Sequence, residues 1–393
     1  MLRSLYSGIS GLRSHQTMLD VTGNNIANVN TTGFKSSQIQ FQDTLSQVVQ
    51  NAGGAQAGVG GTNPAQVGLG VRVAGITTSF TQGASQLTGR STDMMIQGDG
   101  FFVVRKGAEQ FYTRAGSFDF DATGQMVLPG DGALVQGWAA VNGVVDTNGP
   151  LTDMRVPAGT LMAAVATQNA VFSGNLDQAE DTGTVLTRAI SVYDATGNER
   201  ELELTFTKTA TGWDVGATDG AATVAPTAMT FDATTGAITA PTTLTVGGVD
   251  VDLSAMTGFA GLETTQAVSQ DGQAAGVLQS FSLNADGTIV GSFSNSLKQV
   301  VGRIALGSFT NPAGLEKAGG SLFRTTVNSG EPALGAAGQG GRGTLAGGAL
   351  EMSNVDLSSE FTNLIVAQRG FQANSRVITT SDELLQELVN LKR

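Results

Sequence analysis

Hydrophobic periodicity changes twice along this chain, and those changes constrain its fold more than any single motif does. In the first segment Leu2, Leu5, Ile9, Leu12, Leu19 and Ile26 fall on a spacing of three and four, with Gln16 and Gly23 at the two remaining positions of the register. That spacing draws one narrow stripe along an α-helix, the seam of a coiled coil. Gly8, Gly11 and Gly23 each cost about 1 kcal/mol against alanine in a helix, so the segment alone is marginal. Toward the other end Leu357, Phe361, Leu364, Phe371, Ile378, Leu385, Leu388 and Leu391 recur at intervals of three, four or seven, behind a cap at Asn354 or Asp356. This predicts a second amphipathic helix about 50 Å long. Two ordinary surface helices on a core would be the plain alternative, but neither has a neighbouring apolar segment of like period. The two are therefore expected to pair with each other, antiparallel, because the chain leaves along one and returns along the other.

Between the helices the period drops to two. Runs such as Phe101–Val104, Ala189–Tyr193 and Glu201–Phe206 read as strands. Asp121–Gly124, Asp194–Gly197, Asp232–Gly236 and Asn284–Gly287 punctuate them with an Asx side chain that can bond the backbone and a glycine that accepts positive φ. The fold class is therefore α+β: mainly antiparallel β domains, barrel- or sandwich-like, between N- and C-terminal α-helices paired as an antiparallel coiled coil. Residues 46–70 and 329–348 are rich in glycine and poor in large apolar groups, and read as linkers on either side of the β region.

Composition removes most chemistry. The 393 residues include no cysteine and one histidine, His15, and carry a net charge of −12. Disulfides, thiolate metal sites and cysteine nucleophiles are out, and a lone imidazole serves metal sites or a serine triad poorly. The acidic balance repels a phosphate backbone, so nucleic acid is not expected as a partner. Absent cysteine, low charge and abundant threonine, asparagine and glycine suit an extracellular protein. Yet the first residues lack an apolar core followed by a small-residue cleavage site, and no run is long enough to span a membrane. An export route that needs no signal peptide, and no membrane insertion, is the expectation. Asp119–Gly124 begins like a calcium loop, but Gly130 stands where a bidentate glutamate would be needed. Gly68, Gly70 and Ala74 imitate a dinucleotide loop without the helix that would hold a pyrophosphate. A carboxylate pair for sugar hydrolysis lacks an aromatic platform, since Trp138 and Trp213 are the only tryptophans. His15 lies on the polar side of the first helix, as a solvated group or a packing contact. No catalytic residue, cofactor or metal site is expected.

Several blocks are similar to a known family. Gly23–Asn28 with Asn30–Lys35 resembles the N-terminal signature of the rod-and-hook axial proteins of the bacterial flagellum. Gly98–Val104 and Tyr112–Phe118, running on to Gly137–Trp138, resemble that family's inner domain, and Leu350–Leu357 with Ala367–Arg376 resembles its C-terminal signature. The matching blocks cover about half the chain, and within the family the hook proteins fit best; residues 146–280 match only loosely. The resemblance implies terminal helices (1–30 and 355–393) lining an export channel, linkers at 31–70 and 331–354, an inner β domain at 71–145 and 281–330, and an inserted outer β domain at 146–280. It implies a curved tubular homopolymer joining rod to filament as a universal joint, exported by the flagellar type III apparatus. Its partners would be copies of itself, the distal rod protein, the hook cap protein and the hook-filament junction protein. Leu5, Ile9, Leu12, Leu364, Phe371 and Ile378 would be apolar interface groups, and Asn24, Asn25, Asn28, Gln368, Arg369 and Asn374 polar ones. A distal rod protein shares both terminal signatures, but the rod family is expected to be shorter and to lack the insertion. An adhesin-like β protein would account for the middle and not for the paired ends.

Overall fold

The computed structural model describes residues 2–54, 58, 60–156, 159–220 and 222–391. The two helices form as expected: α1 spans Leu2–Ala27 and α2 spans Leu357–Leu391. Of the two candidate caps, Asp356 starts α2, its Oδ1 accepting the Ser358 and Ser359 N–H groups at 2.9 and 3.4 Å, which satisfies donors that the first turn otherwise leaves orphaned. Between them the described residues form strands, turns, loops and one short 3-10 helix, Pro312–Gly314, and the chain divides into two compact units: 1–157, 282–290 and 300–393, and 158–281 with 291–299.

The first unit holds the helix pair and an antiparallel β body. After α1 come β1 (Ser37–Asp43), β2 (Ser46–Gln50), β3 (Ala65–Gly68) and β4 (Val71–Thr78). Here the linker expectation for 46–70 fails: β2 pairs with β3, and β1 with β4, as one long antiparallel hairpin. A main-chain ladder needs no buried apolar side chains to form, which is why a stretch read as too polar to fold is nonetheless strand; residues 55–57 and 59 of it lie outside the described residues. The second expected linker fails for the same reason. Ala333–Ala336 pairs with Ala305–Ser308, Thr344–Gly347 with β6 (Met94–Gln97), and Ala349–Glu351 with β5 (Ser85–Leu87). At the centre β7 (Phe101–Lys106) pairs with β8 (Glu109–Thr113), and beside it Phe80, Phe101, Tyr112, Phe309 and Phe323 pack edge to face at 4.8–5.9 Å between ring centres, the geometry that ring quadrupoles favour. Residues 146–156 belong here and not to the insertion, because Thr152–Asp153 pairs with Gln136–Gly137 and Met154 is buried in this body.

The second unit is a sandwich. Five antiparallel strands, Val185–Tyr193, Glu199–Thr209, Gly212–Asp219, Ala222–Phe231 and Ile238–Ala240, form one sheet. The other is built from Thr243–Val246, Val249–Thr257, Asn169–Asn175 and Gln266–Gln270. Alternation along Glu199–Thr209 turns Leu202, Leu204 and Phe206 inward, onto Trp213, Phe172, Val251 and Leu253. One pairing departs from the antiparallel rule, since Asn169–Asn175 runs parallel to Val249–Thr257.

The Asx turns behave as read. Asp194 accepts the Thr196 and Asn198 N–H groups at 2.8 and 2.9 Å, with Gly197 at φ 86°. Hydrogen bonds from Thr196 and Asn198 hold the Asp194 carboxyl below its ordinary value, as those from Thr235 and Thr234 do for Asp232 and those from Gly261 and Ala179 do for Asp177. A folded value below the unfolded one means stabilisation that is present above the unfolded value of 3.8 and lost as the pH falls through the folded value. The melting temperature of the full chain, followed by circular dichroism, is expected to be level from about pH 7 to 5 and to drop below about pH 4. Asp194→Asn should flatten that drop, and an unchanged profile would show that the turns do not couple to stability.

Candidate functional site

The face on which the two helices meet is made of small residues. A Cβ placed on Gly8 would lie 3.4 Å from Ile378, one on Gly11 2.7 Å from Asn374, and one on Gly370 2.5 Å from His15. Farther along, the buried Asn25 donates to Glu360 Oε1 at 2.9 Å. Numbers rise along α1 as they fall along α2, so the pair is antiparallel. The stripe at Gly8, Gly11, His15 and Asn25 is not the leucine seam expected from spacing. Glycine lets the helix axes approach closely, whereas the larger Leu5, Ile9 and Leu12 are displaced to the flank and stay half-buried.

Of the other expected interface groups, Asn374 and Ile378 lie against the glycines of α1, and the Asn374 amide donates to the Gly370 carbonyl at 2.8 Å. Leu364 and Phe371 are half-buried, while Asn24, Gln368 and Arg369 are exposed. Asn28 closes the helix end by donating to the Asn24 carbonyl at 2.9 Å. His15 is the packing contact allowed for it: its ring sits 6.0 Å from that of Phe41, and its Nδ1 is buried without a hydrogen bond.

Where the helices enter the β body, three sequence blocks converge on a buried ion cluster. Lys35 Nζ lies 2.6 Å from Glu351 Oε1, both side chains fully buried, and Arg114 lies 3.5 Å from Glu351 Oε2. Lys35 also donates to the Thr81 carbonyl at 2.7 Å, and the Gly83 N–H to Glu351 at 2.9 Å. Burial pulls the Lys35 ammonium below its ordinary value, against the opposing pull of Glu351, and burial likewise lowers Arg114. Gly33, at φ 67°, has its missing Cβ 2.5 Å from the Ala115 nitrogen. No other residue suits both the left-handed backbone and that contact. Asn25 and Asn354 complete the junction: Asn25 bonds both the N–H and the carbonyl of Ser37, and Asn354 accepts from the Ser36 N–H and donates to the Ser79 carbonyl. Lys35, Arg114 and Glu351 sit inside the family-like blocks 30–35, 112–118 and 350–357, where a charged residue among small and apolar ones is the sequence signal of this cluster.

Part of what the chain leaves uncovered is apolar. Phe361, Ile365 and Val366 on α2 are 52–57% exposed, and Leu45 and Val49 on the hairpin are more exposed still. Contiguous apolar surface of this kind marks an interaction face. Among the described residues no group of histidine, cysteine, aspartate and glutamate could hold a metal ion, and no helix is long and apolar enough to cross a membrane.

Comparison with known proteins places these elements. The family described as "Flagella basal body rod protein" matches residues 5–35, "Flagellar hook protein FlgE/F/G D1 domain" matches 95–172, and "Flagellar basal body rod FlgEFG protein C-terminal" matches 346–391. A flagellar hook protein FlgE of Borreliella burgdorferi is 40% identical over 443 aligned residues, covering 100% of both chains. A flagellar basal-body rod protein FlgG of Bacillus subtilis is 36% identical, again over 100% of both. A rod protein is therefore among the relatives that align along the whole of this chain. The crystal structure of Helicobacter pylori flagellar hook protein FlgE2 has a TM-score of 0.51 and 17% identity, over 68% of this chain and 100% of that one; at that identity the likeness speaks to fold alone.

Proposed function

The chain belongs to the flagellar hook protein FlgE family, and from that premise we propose that it polymerises into the curved tube of the hook and serves there as a flexible universal joint. It is a structural subunit of the flagellum, and its place is the hook. The observation that carries the polymer reading is the apolar face of Phe361, Ile365 and Val366, exposed in the single chain although it lies on a helix already paired along its small-residue side. A helix pair whose remaining apolar surface faces water gains by adding copies, and contacts between unlike surfaces generate a helical filament that does not close. In this reading Leu5, Ile9, Leu12, Leu364 and Phe371 flank the subunit contacts, with Asn24, Asn28, Gln368 and Arg369 at their polar rim. The chain works as scaffold and not as an enzyme. It leaves the cell unfolded through the flagellar type III apparatus and meets the distal rod protein below, the hook cap protein during growth and the hook-filament junction protein above.

A strain lacking this chain is expected to be non-motile, with basal bodies that end at the rod in electron micrographs. Hooks of ordinary length in that strain would overturn the reading.

A further inference from the structure

The last turns of α2 carry exposed apolar and acidic side chains. With Gly8 opposite Ile378 and the helices antiparallel, the register sets Leu2 opposite residue 384, so no described residue of α1 faces 385–391. Leu384 and Val389 are 52% and 67% exposed. Glu383 and Glu387 stand one turn apart on the same stretch, exposed and, among the described residues, in no ion pair. A groove of about 400 Å³ lies elsewhere in this unit, between α1 and β4, lined by Tyr6, Ile9, Arg13, Arg72 and Val73 among others. Arg13 and Arg72 are exposed and likewise in no ion pair; Arg72 donates only to Gln42 Oε1, at 3.0 Å. At about 100° per residue around the helix, Glu383, Glu387 and Leu384 share one face, which is apolar and anionic, while the groove is apolar and cationic. Because α2 runs unbroken to Leu391, it cannot fold back to fill a groove that flanks residues 6–17 of its own partner helix.

We propose that this groove receives the 382–391 stretch of α2 from a second copy of the chain, with Leu384 against Tyr6, Ile9 and Val73, and Glu383 and Glu387 toward Arg13 and Arg72. The two surfaces differ, so the contact is heterologous and adds copies head to tail. The inference rests on the polymer reading above and names one of its contacts.

The test uses the full chain with a benzoylphenylalanine photocrosslinker in place of Tyr6, grown into tubes from mixed isotope-labelled and unlabelled protein. Crosslinked peptides are expected to join residue 6 of one copy to residues 382–391 of another. Arg13→Glu and Glu387→Arg are each expected to lower the yield of tubes about tenfold or more, since like charges opposed across an interface are strongly unfavourable, and the two together to recover it. Tubes whose crosslinks map elsewhere, or a double variant as poor as the singles, would overturn this contact and leave the polymer reading standing. Failure of the unsubstituted chain to form tubes under any salting-out condition would overturn both.

Discussion

Replacing Glu351 with leucine is expected to destabilise the unit that carries the helix pair by about 3–5 kcal/mol, the cost of stripping one partner from a buried ion pair. Lys35, fully buried, would be left facing no carboxylate, and Arg114, nearly as buried, would keep only the attraction of Asp99. The Gly83 N–H would lose its acceptor as well. Because Lys35 and Glu351 lie in separate sequence blocks, the loss should loosen both ends of the chain at once. Adding Lys35→Met removes one of the two stranded cations, and the double variant is expected to regain a large part of the loss, while Lys35→Met alone leaves Glu351 with only Arg114. Urea titrations of the single and double variants measure this. A single variant within about 1 kcal/mol of the parent, as for a solvated surface pair, would show that the cluster does not hold the junction.

Ile365→Asp is expected to abolish tube formation while leaving the melting curve of the single chain where it was. At 57% exposure the new carboxylate stays hydrated in the monomer. Covered by a neighbouring copy, it would have to be desolvated without a partner, a penalty of several kcal/mol, and every 1.4 kcal/mol is a factor of ten in affinity. Phe371→Asp should block assembly too, but Phe371 is half-buried, so its effect would mix assembly with damage to the helix pair. Sedimentation under salting-out conditions, with negative-stain micrographs of the pellet, separates the outcomes. Tubes of parental length from Ile365→Asp would show that this face stays open to solvent in the polymer.

Much of this architecture was legible in the chain because period is a direct record of burial. The helices at both ends, their antiparallel pairing, the strands around Phe101, Ile190 and Leu204 and the Asx turns could all be read from spacing. The contact stripe of the helices could not, because hydrophobicity marks leucines and the closest approach is made at glycines. The strands at 46–50, 65–68 and 333–351 escaped because their order comes from main-chain pairing, to which side-chain polarity is nearly blind. The Lys35–Glu351 pair escaped for a different reason: its members are 316 residues apart, and a charge in a motif does not name its partner. Of the residues singled out for the subunit interface, Asn25 already bonds Glu360 and Ser37 within the chain. Type alone did not distinguish it from Asn24, which stays exposed.

The Asn25–Glu360 bond joins residues 335 positions apart, and that separation has a consequence in time. A ribosome adding about 5–20 residues per second takes roughly 17–67 s to make the intervening chain. Throughout that interval α1, with its three glycines and its contact stripe open, has no partner helix. Closing so long a loop adds its own entropic cost, which grows with the logarithm of loop length. The hairpin of β7 and β8, whose two strands are neighbours in sequence, has its first partner at hand early; the helix pair has to wait for the end of the chain. The N-terminal segment is thus the part of the nascent chain that stays longest in an unpaired form, open to capture by any factor that binds extended or half-formed helix.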